Sequence, residues 1–291
     1  MGTASMTASM TAYMTASMTA RATASLLAAI ALGGCDDPEF DSRVELSGYR
    51  VIGIEADPPQ VAPDGSLTLR AHDFDDAGEA VEYAWSVCLV DPGAQANAPC
   101  PHAELSVVLD ATRELSVDLG PDGLDLEGRL SASGPQFTPS GAPASPQTGF
   151  DIVVTLDSGA DCDGCRQVRT VKRVRVLADP SATPSNNPRI LSFDVEGTAR
   201  AGETVTLRAE ADSPEDYRDP LDDTATTESY LYTWYSALGE TDPGLTFDEK
   251  RETQLELPDD AQPGTEFEVI VALRDSRRGL AVERQTVTVE P

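Results

Sequence analysis

Residues 65–71 read Gly-Ser-Leu-Thr-Leu-Arg-Ala, and residues 203–209 repeat this pattern as Glu-Thr-Val-Thr-Leu-Arg-Ala. In the first copy Leu67, Leu69 and Ala71 alternate with polar residues. Successive side chains of a β-strand point to opposite faces, so the alternation places the apolar set on one buried face and the polar set in water. Both segments are therefore predicted to be strands of a sheet with one buried face.

Two further segments recur in the same order along the chain. Tyr-Ala-Trp at 83–85 returns as Tyr-Thr-Trp at 232–234, and Phe-Asp-Ile-Val-Val at 150–154 returns as Phe-Glu-Val-Ile-Val at 267–271. Ordered repetition of this kind predicts the same fold twice. Proline and glycine punctuate the junctions between the segments, and helical periodicity is almost absent, which indicates an all-β protein.

An all-β repeat with a tryptophan on a central strand of each copy, Trp85 and Trp234, resembles the immunoglobulin-like superfold and its polycystic-kidney-disease-type relatives. The resemblance implies two tandem antiparallel β-sandwiches, at 46–178 and 188–291. Residues 179–187, rich in proline and small polar residues, are predicted to be a linker that allows relative motion of the two modules.

Each module also carries a long interval that its counterpart lacks. Module one has an insertion with further strands predicted within 105–119 and a loop rich in proline, serine and glycine at 131–148. Module two has an acidic stretch at 213–229. Because binding usually resides in long loops on a rigid scaffold, these loops are the first candidates for a binding surface.

A short apolar run at 26–32 precedes Gly33, Gly34 and Cys35. It is shorter than the about 20 residues needed to span a bilayer and is typical of a signal peptide. Leu32-Gly33-Gly34-Cys35 resembles the lipobox of bacterial lipoproteins, in which an aliphatic residue and two small residues precede the modified cysteine.

That resemblance implies a signal peptide at 1–35, thioether diacylation of Cys35 with palmitate-like chains, and a polar tether at 36–45. The expected location is the cell envelope, with the body anchored to a bacterial membrane and lying in the periplasm or at the cell surface. Several acyl chains would anchor it far more firmly than one. An ordinary cleaved signal peptide with a chance cysteine is the alternative.

Four cysteines remain after the anchor: Cys88, Cys100, Cys162 and Cys165. An even number in an exported protein favours disulfides. We favour the pairs Cys88–Cys100 and Cys162–Cys165 among the three pairings. A four-thiolate zinc site and a redox Cys-x-x-Cys are the alternatives; the first lacks the usual ligand spacing, and the second lacks a helix that would lower the thiol pKa.

The chain carries 21 basic and 50 acidic residues, a formal charge of −29. Nucleic acid is therefore not an expected partner, because phosphate binding requires clustered Lys and Arg. The basic residues that come closest to a cluster alternate along one predicted strand, which indicates a solvated face: Arg169, Lys172, Arg173 and Arg175.

Acidic residues gather in two predicted loops at corresponding places of the two modules. Calcium prefers such mixtures of carboxylate and carbonyl oxygens, although acidic loops usually serve only to solvate a surface. The residues concerned are Asp73, Asp75, Asp76, Asp212, Glu215, Asp216 and Asp219.

Catalytic chemistry has little support in the sequence. The histidines are His72 and His102, and neither lies in a nucleophile–base pattern or a known catalytic motif. No catalytic residue, metal or cofactor is therefore predicted. The expected function is an envelope lipoprotein that presents its sandwiches for contact with a protein or carbohydrate; a structural spacer, a calcium-binding module and a small enzyme are the alternatives.

Overall fold

The alternating segments form strands with one buried face. Leu67, Leu69 and Ala71 are at most 3% exposed, and so are Val205 and Leu207 at the corresponding positions of the second copy. These data come from a computed structural model, which describes residues 44–78, 80–91, 99–132, 149–160, 167–181, 183–218 and 224–291.

The first half of the described chain, here called sandwich 1, has eight strands, a 3₁₀ turn and a short α-helix. In chain order they are β1 (Arg50–Asp57), β2 (Gln60–Val61), β3 (Ser66–Phe74), β4 (Val81–Cys88), the 3₁₀ turn (Ala103–Leu105), β5 (Ser106–Val108), β6 (Glu114–Asp118), α1 (Leu126–Ala132), β7 (Phe150–Ala160) and β8 (Gln167–Val176).

The second half, sandwich 2, contributes ten strands. They are β9 (Ile190–Glu196), β10 (Thr204–Ala211), β11 (Asp216–Arg218), β12 (Ala225–Thr227), β13 (Tyr230–Ser236), β14 (Glu240–Asp242), β15 (Leu245–Phe247), β16 (Glu252–Glu256), β17 (Glu266–Asp275) and β18 (Leu280–Thr288).

Each half contains two sheets. Sandwich 1 has the strand orders β1-β3-β6 and β2-β8-β7-β4-β5, whereas sandwich 2 has β9-β10-β16-β14 and β15-β13-β17-β18, together with the hairpin β11-β12. The short β2 pairs with β8 in parallel, and the other pairs of strands are antiparallel. In the lettering of the immunoglobulin fold, the first sheet of sandwich 2 contains strands A, B, E and D (β9, β10, β16 and β14), and the second contains C, F and G (β13, β17 and β18). The topology of sandwich 2 is therefore immunoglobulin-like. The predicted fold class is confirmed.

Both tryptophans lie between the two sheets of their sandwich, on strands that correspond: β4 pairs with β7 as β13, strand C, pairs with β17. Trp85 on β4 is 1% exposed and Trp234 on β13 is fully buried. Each indole N–H has an acceptor: Trp85 donates to the carbonyl oxygen of Thr112 at 2.7 Å, and Trp234 donates to the hydroxyl of Thr246 at 2.9 Å. Each sandwich therefore has a core centred on the same landmark.

A third apolar cluster joins the two sandwiches, and we call it the shared cluster. Its buried residues come from both halves: Leu46, Ile52 and Phe74 from sandwich 1, and Tyr235, Ile270, Ala272 and Leu280 from sandwich 2. Residues 44–291 accordingly form one compact unit. This packing opposes the relative motion expected from the linker.

Helix α1 is an addition to the sequence-based expectation. Leu126 is buried and Leu130, four residues later, packs on the core of sandwich 1. The Asp125 carboxylate accepts the Gly128 N–H at 3.2 Å near the first turn. A single apolar pair in seven residues is too short a pattern to distinguish a helix from a loop.

Candidate functional site

The cysteines divide between described and undescribed residues. Cys88, the last residue of β4, forms a disulfide with Cys100, as the sequence-based pairing predicts. This bond closes the start of the insertion in sandwich 1. Cys35, Cys162 and Cys165 lie outside the described residues, so lipidation of Cys35 and the Cys162–Cys165 pair stay predictions.

The acidic loop of sandwich 1 is engaged in contacts within the protein. The Asp73 carboxylate accepts the Tyr83 hydroxyl at 2.6 Å and lies 2.8 Å from the Arg113 guanidinium. Asp76 accepts the N–H of Gly48 at 3.0 Å. Carboxylates committed to donors in this way stabilise local structure.

The acidic loop of sandwich 2 is similarly engaged. Asp212 accepts the hydroxyl of Tyr230 at 3.0 Å and the N–H of Arg189 at 3.1 Å, and Asp216 accepts the hydroxyl of Thr227 at 2.6 Å. Asp219 lies outside the described residues. Within the described ranges, no three His, Cys, Asp or Glu side chains converge as a metal ion would require.

Both histidines lie beside glutamates. His72 Nε2 is 2.7 Å from the Glu55 carboxylate, which also lies 3.3 Å from Arg70. His102 Nδ1 is 3.3 Å from Glu104. Neither arrangement includes a nucleophile, so neither has the geometry of a nucleophile–base pair.

The basic residues of β8 form ion pairs across one face of sandwich 1. Arg169 lies 2.6 Å from Asp157, Arg173 lies 2.8 Å from Asp91, and Arg175 lies 2.6 Å from Asp151. We call this surface the charged face.

A shallow depression beside α1, about 340 Å³ in volume, is bordered by Asp64, Asp125, Glu127 and Ser131. No basic residue and no histidine lines it among the described residues. It is open to solvent and acidic residues form part of its lining, whereas ligand pockets are usually enclosed and predominantly apolar.

The end of β17 and the turn that follows it contact sandwich 1 through several hydrogen bonds, and we call this contact the junction. Arg274 donates to the carbonyl oxygen of Ile52 at 2.8 Å, and Arg278 donates to the Asp151 carboxylate at 2.8 Å. Lys172 of β8 donates to the carbonyl oxygen of Arg278. Strand β8 therefore contributes one side chain to the junction and three to the charged face.

The junction also depends on a close backbone approach. A Cβ atom at Gly53 would lie 2.8 Å from a methyl carbon of Leu280 in the shared cluster. Asn187, in the predicted linker, donates to the carbonyl oxygen of Ala56 at 2.9 Å and accepts the N–H of Leu280 at 3.0 Å. The end of the linker is thus bonded to both sandwiches.

Arg277 connects the acidic loop of sandwich 2 to the junction. Its guanidinium donates to Gln60 at 3.0 Å and lies 3.3 Å from Glu215 and 3.4 Å from Glu228. It also lies 4.9 Å from the ring centre of Tyr217 on β11, a cation–π distance. Glu215, Tyr217 and Glu228 therefore brace the junction, whereas the sequence predicted a binding loop at 213–229, of which residues 219–223 lie outside the described residues.

Burial changes the proton affinity of junction side chains. Burial lowers the pKa of Lys172 to about 8, although Asp275 nearby opposes the shift. Burial raises the pKa of Asp275 above its usual range even though the N–H groups of Gly279 and Arg277 donate to it. Burial also raises the pKa of Glu228, and the charge of Arg277 opposes this shift. The junction thus contains partly desolvated charges.

Exposed large apolar side chains lie on edge strands of the sheets. Val108 on β5 is 83% exposed and Leu191 on β9 is 63% exposed. Leu245 and Phe247, 48% and 63% exposed, lie together on β15. Since β15 carries two of these side chains on one face, it is the most apolar exposed edge in the described part of the chain.

No family model matches the chain, and no curated protein matches it. Solved structures that are similar include three N-terminal domains of the outer capsid protein Hoc of bacteriophage RB49, at 11% identity and a TM-score of 0.22, over 83% of this chain and 70% of that one.

The Ig1 and Ig2 domains of DIP-gamma are similar at 11% identity and a TM-score of 0.22, over 84% of this chain and 99% of that one. A 1.5-MDa bacterial ice-binding adhesin is similar at 14% identity and a TM-score of 0.22, over 84% of this chain and 66% of that one. TM-scores this low support no inference about function, and the fold assignment rests on the strand pairing of the chain itself.

The described residues include no helix that is long and apolar enough to cross a membrane. Sequence reasoning missed the junction, although β17 contained a signal for it. Residues 269–273 are five consecutive apolar residues, a run typical of a strand that is buried on both faces.

Proposed function

We propose that this protein is a lipid-anchored protein of the bacterial cell envelope, which presents two fused β-sandwiches as one rigid binding module and catalyses no reaction. The observation that carries the proposal is the shared cluster, in which Ile270 and Ala272 are fully buried against the other sandwich. A module that holds its surfaces in fixed relation is suited to binding, because little ordering entropy is lost when a partner docks.

The polar groups support a binding role over a catalytic one. The charged groups of the candidate sites, such as Asp73 and His72, make ion pairs or hydrogen bonds within the protein. Among the described residues, each histidine lies beside a glutamate, and neither pair includes a hydroxyl or thiol nucleophile. The acidic loops have donors of their own, which disfavours the calcium-binding alternative.

Anchoring is tested by labelling cells with palmitate. Replacement Cys35→Ala should abolish the label and move the protein from the detergent phase to the aqueous phase in a phase-partition assay. The matched control Gly34→Ala keeps a small residue before the cysteine and should keep the label. A labelled Cys35→Ala variant would overturn the anchoring proposal.

A purely structural spacer is the second candidate, and the fixed junction is the observation that favours it. Loop truncation is a poor way to separate the two, because removing residues 213–229 also removes Glu215 and Glu228, which pair with Arg277. Crosslinking on intact cells is the sharper test. A binding module should give a partner adduct that surface substitutions remove without unfolding the protein, whereas a spacer should tolerate every such substitution.

A further inference from the structure

Strand β15 combines an apolar surface with an open backbone edge. It lies at the end of the sheet order β15-β13-β17-β18, and it exposes Leu245 and Phe247 on the same face. Natural proteins usually protect such an edge with charges or proline, since it can pair with another strand. Apolar side chains at this edge therefore point to an interaction surface.

The backbone groups that face outward follow from the pairing with β13. Trp234 N–H donates to the Gly244 carbonyl at 3.0 Å and Asp248 N–H donates to the Tyr230 carbonyl at 2.9 Å. Antiparallel ladders alternate, so the residues between these pairs, Leu245 and Phe247, direct their N–H and C=O groups away from β13.

One of these outward groups is already occupied, because the Phe247 carbonyl accepts the N–H of Lys250 at 3.0 Å. The two groups of Leu245 and the N–H of Phe247 have no hydrogen-bond partner in the described ranges. An incoming extended segment would therefore find two donors and one acceptor.

The same sheet already holds an extended segment by main-chain bonds. Leu46 N–H donates to the Ser236 carbonyl at 2.8 Å, and Ser236 N–H donates to the Val44 carbonyl at 3.2 Å, on the side of β13 that β15 also occupies. Val44 packs against Gly244, directly before β15. The β15 face is therefore continuous with the shared cluster, which binds apolar side chains from an extended segment.

Charge identifies the kind of partner. Asp248 and Glu249 directly follow β15, and Glu240 and Asp242 lie on β14, the edge strand of the other sheet of sandwich 2. The Asp248 carboxylate accepts the N–H of Tyr230 at 2.8 Å. Lys250 and Arg251 follow Glu249, and Arg251 is paired with Glu210 at 2.9 Å. A second copy of a chain with a formal charge of −29 would be repelled from this edge, whereas a basic segment would be attracted.

We propose that the open edge of β15 binds an extended, basic segment of a partner protein by strand addition, with alternate apolar side chains of that segment packing on Leu245 and Phe247. This inference rests on the proposed binding function and names the class of partner. Main-chain hydrogen bonds would supply part of the affinity, and the two apolar side chains together with the carboxylates would supply specificity.

The test uses the purified full chain and a fluorescent peptide of four Val-Lys repeats, titrated at physiological salt. Wild-type protein should bind this peptide and should not bind a peptide of Val-Glu repeats. The double variant Leu245→Lys/Phe247→Lys should bind about tenfold more weakly, because it loses two apolar contacts. The double variant Val108→Lys/Leu191→Lys adds the same charge at other edges and should stay within about twofold of wild type.

Amide hydrogen exchange gives a second readout at the backbone. Peptide addition should protect the N–H groups of Leu245 and Phe247 and leave that of Thr246, which faces β13, unchanged. Equal weakening in both double variants, equal binding of the Val-Glu peptide, or no binding would overturn the proposal. Self-association of the wild type that Leu245→Lys/Phe247→Lys abolishes would also overturn it, by assigning the edge to a second copy.

Palmitate labelling is independent of this edge. Absence of peptide binding with an intact Cys35 label would therefore remove only the strand-addition inference, whereas loss of anchoring would leave the peptide assay interpretable.

Discussion

The outer faces of two corresponding sheets differ in chemistry although four strands of each pair in the same order, β8-β7-β4-β5 in sandwich 1 and β18-β17-β13-β15 in sandwich 2. On β7 of sandwich 1 the outward residues include Asp151 and Asp157, paired with arginines of β8. On β17 of sandwich 2 the outward residues Ile270 and Ala272 are fully buried in the shared cluster. The apolar outward face of β17 is thus covered by the other sandwich, whereas the charged outward face of β7 takes part in the junction through the bond between Asp151 and Arg278.

The energetic consequences of the two faces also differ. An exposed ion pair such as Arg169–Asp157 contributes about 0–1 kcal/mol, because water screens it. Each large apolar side chain buried in the shared cluster contributes about 1.5–3 kcal/mol. The apolar face should therefore dominate the coupling between sandwiches, and substitutions at matched positions can measure the difference.

The largest effect is expected from a charge placed at equivalent positions of the two faces. Ala272→Asp buries an unpaired carboxylate in the shared cluster and should lower the free energy of unfolding by about 3–5 kcal/mol. Thr155→Asp is its counterpart on the half-buried charged face and should change stability by less than about 1 kcal/mol. Urea denaturation of both variants measures the contrast, and similar losses would show that the two faces are equivalent.

The disulfide is a feature of sandwich 1, and its removal should give the next largest effect. Cys88 and Cys100 are 12 positions apart, and opening a loop of this size lowers the free energy of unfolding by about 2–3 kcal/mol. The double variant Cys88→Ala/Cys100→Ala, measured by denaturation, should show this loss. A loss below about 0.5 kcal/mol would mean that the bond does not constrain the unfolded chain.

Removal of Arg277 tests the polar part of the junction. The substitution Arg277→Met removes the cation beside Glu228, whose side chain is 2% exposed. The free energy of unfolding should therefore fall by about 2 kcal/mol at pH 7. The matched control Arg169→Met removes an exposed arginine of the charged face and should lower the free energy of unfolding by less than about 0.5 kcal/mol.

The cost of Arg277→Met should depend on pH. Burial already raises the pKa of Glu228 in the folded state, and loss of the cation raises it further. At a pH below the pKa of Glu228 in the unfolded chain, the folded and unfolded states both hold its proton, and the loss of stability caused by Arg277→Met disappears. This loss grows as the pH rises through the pKa of Glu228 in the folded protein. Denaturation at pH 4.5 and pH 7 should therefore show a smaller loss at the lower pH, and an equal loss at both would contradict this cause.

The smallest effect concerns Lys172. Its pKa in the folded protein is about 8, below the ordinary 10.5, so between these values the unfolded chain holds a proton that the folded protein lacks. The free energy of unfolding should then rise by about 1–2 kcal/mol from pH 7 to pH 9.5 in the wild type relative to Lys172→Met. A parallel pH profile for the two proteins would show that Lys172 is well solvated.

Alternation predicted much of the fold. It placed strands β3 and β10, whereas the resemblance to the immunoglobulin-like superfold implied that Trp85 and Trp234 lie between two sheets. The even number of cysteines in a chain expected to be exported favoured disulfides, and Cys88–Cys100 belongs to the one of three pairings that we favoured. These features depend on local pattern, which a single sequence contains.

The junction depends on contacts that no local pattern specifies. Arg274 and Ile52 are 222 positions apart, and the choice of Ile52 as acceptor follows from how the sandwiches pack. The apolar run at 269–273 indicates that both faces of β17 are buried, without identifying what covers the outer one. Composition likewise did not reveal that Glu215 and Glu228 brace Arg277, because acidic residues that pair within the protein have the same composition as solvated ones.

Nitrogen-15 relaxation of the full chain tests most directly whether the shared cluster joins the sandwiches into one body. Amides of both sandwiches should report a single rotational correlation time appropriate to a body of residues 44–291, and Ala272→Asp should split it into two shorter values. Two different, shorter correlation times in the wild-type protein would contradict the rigid junction.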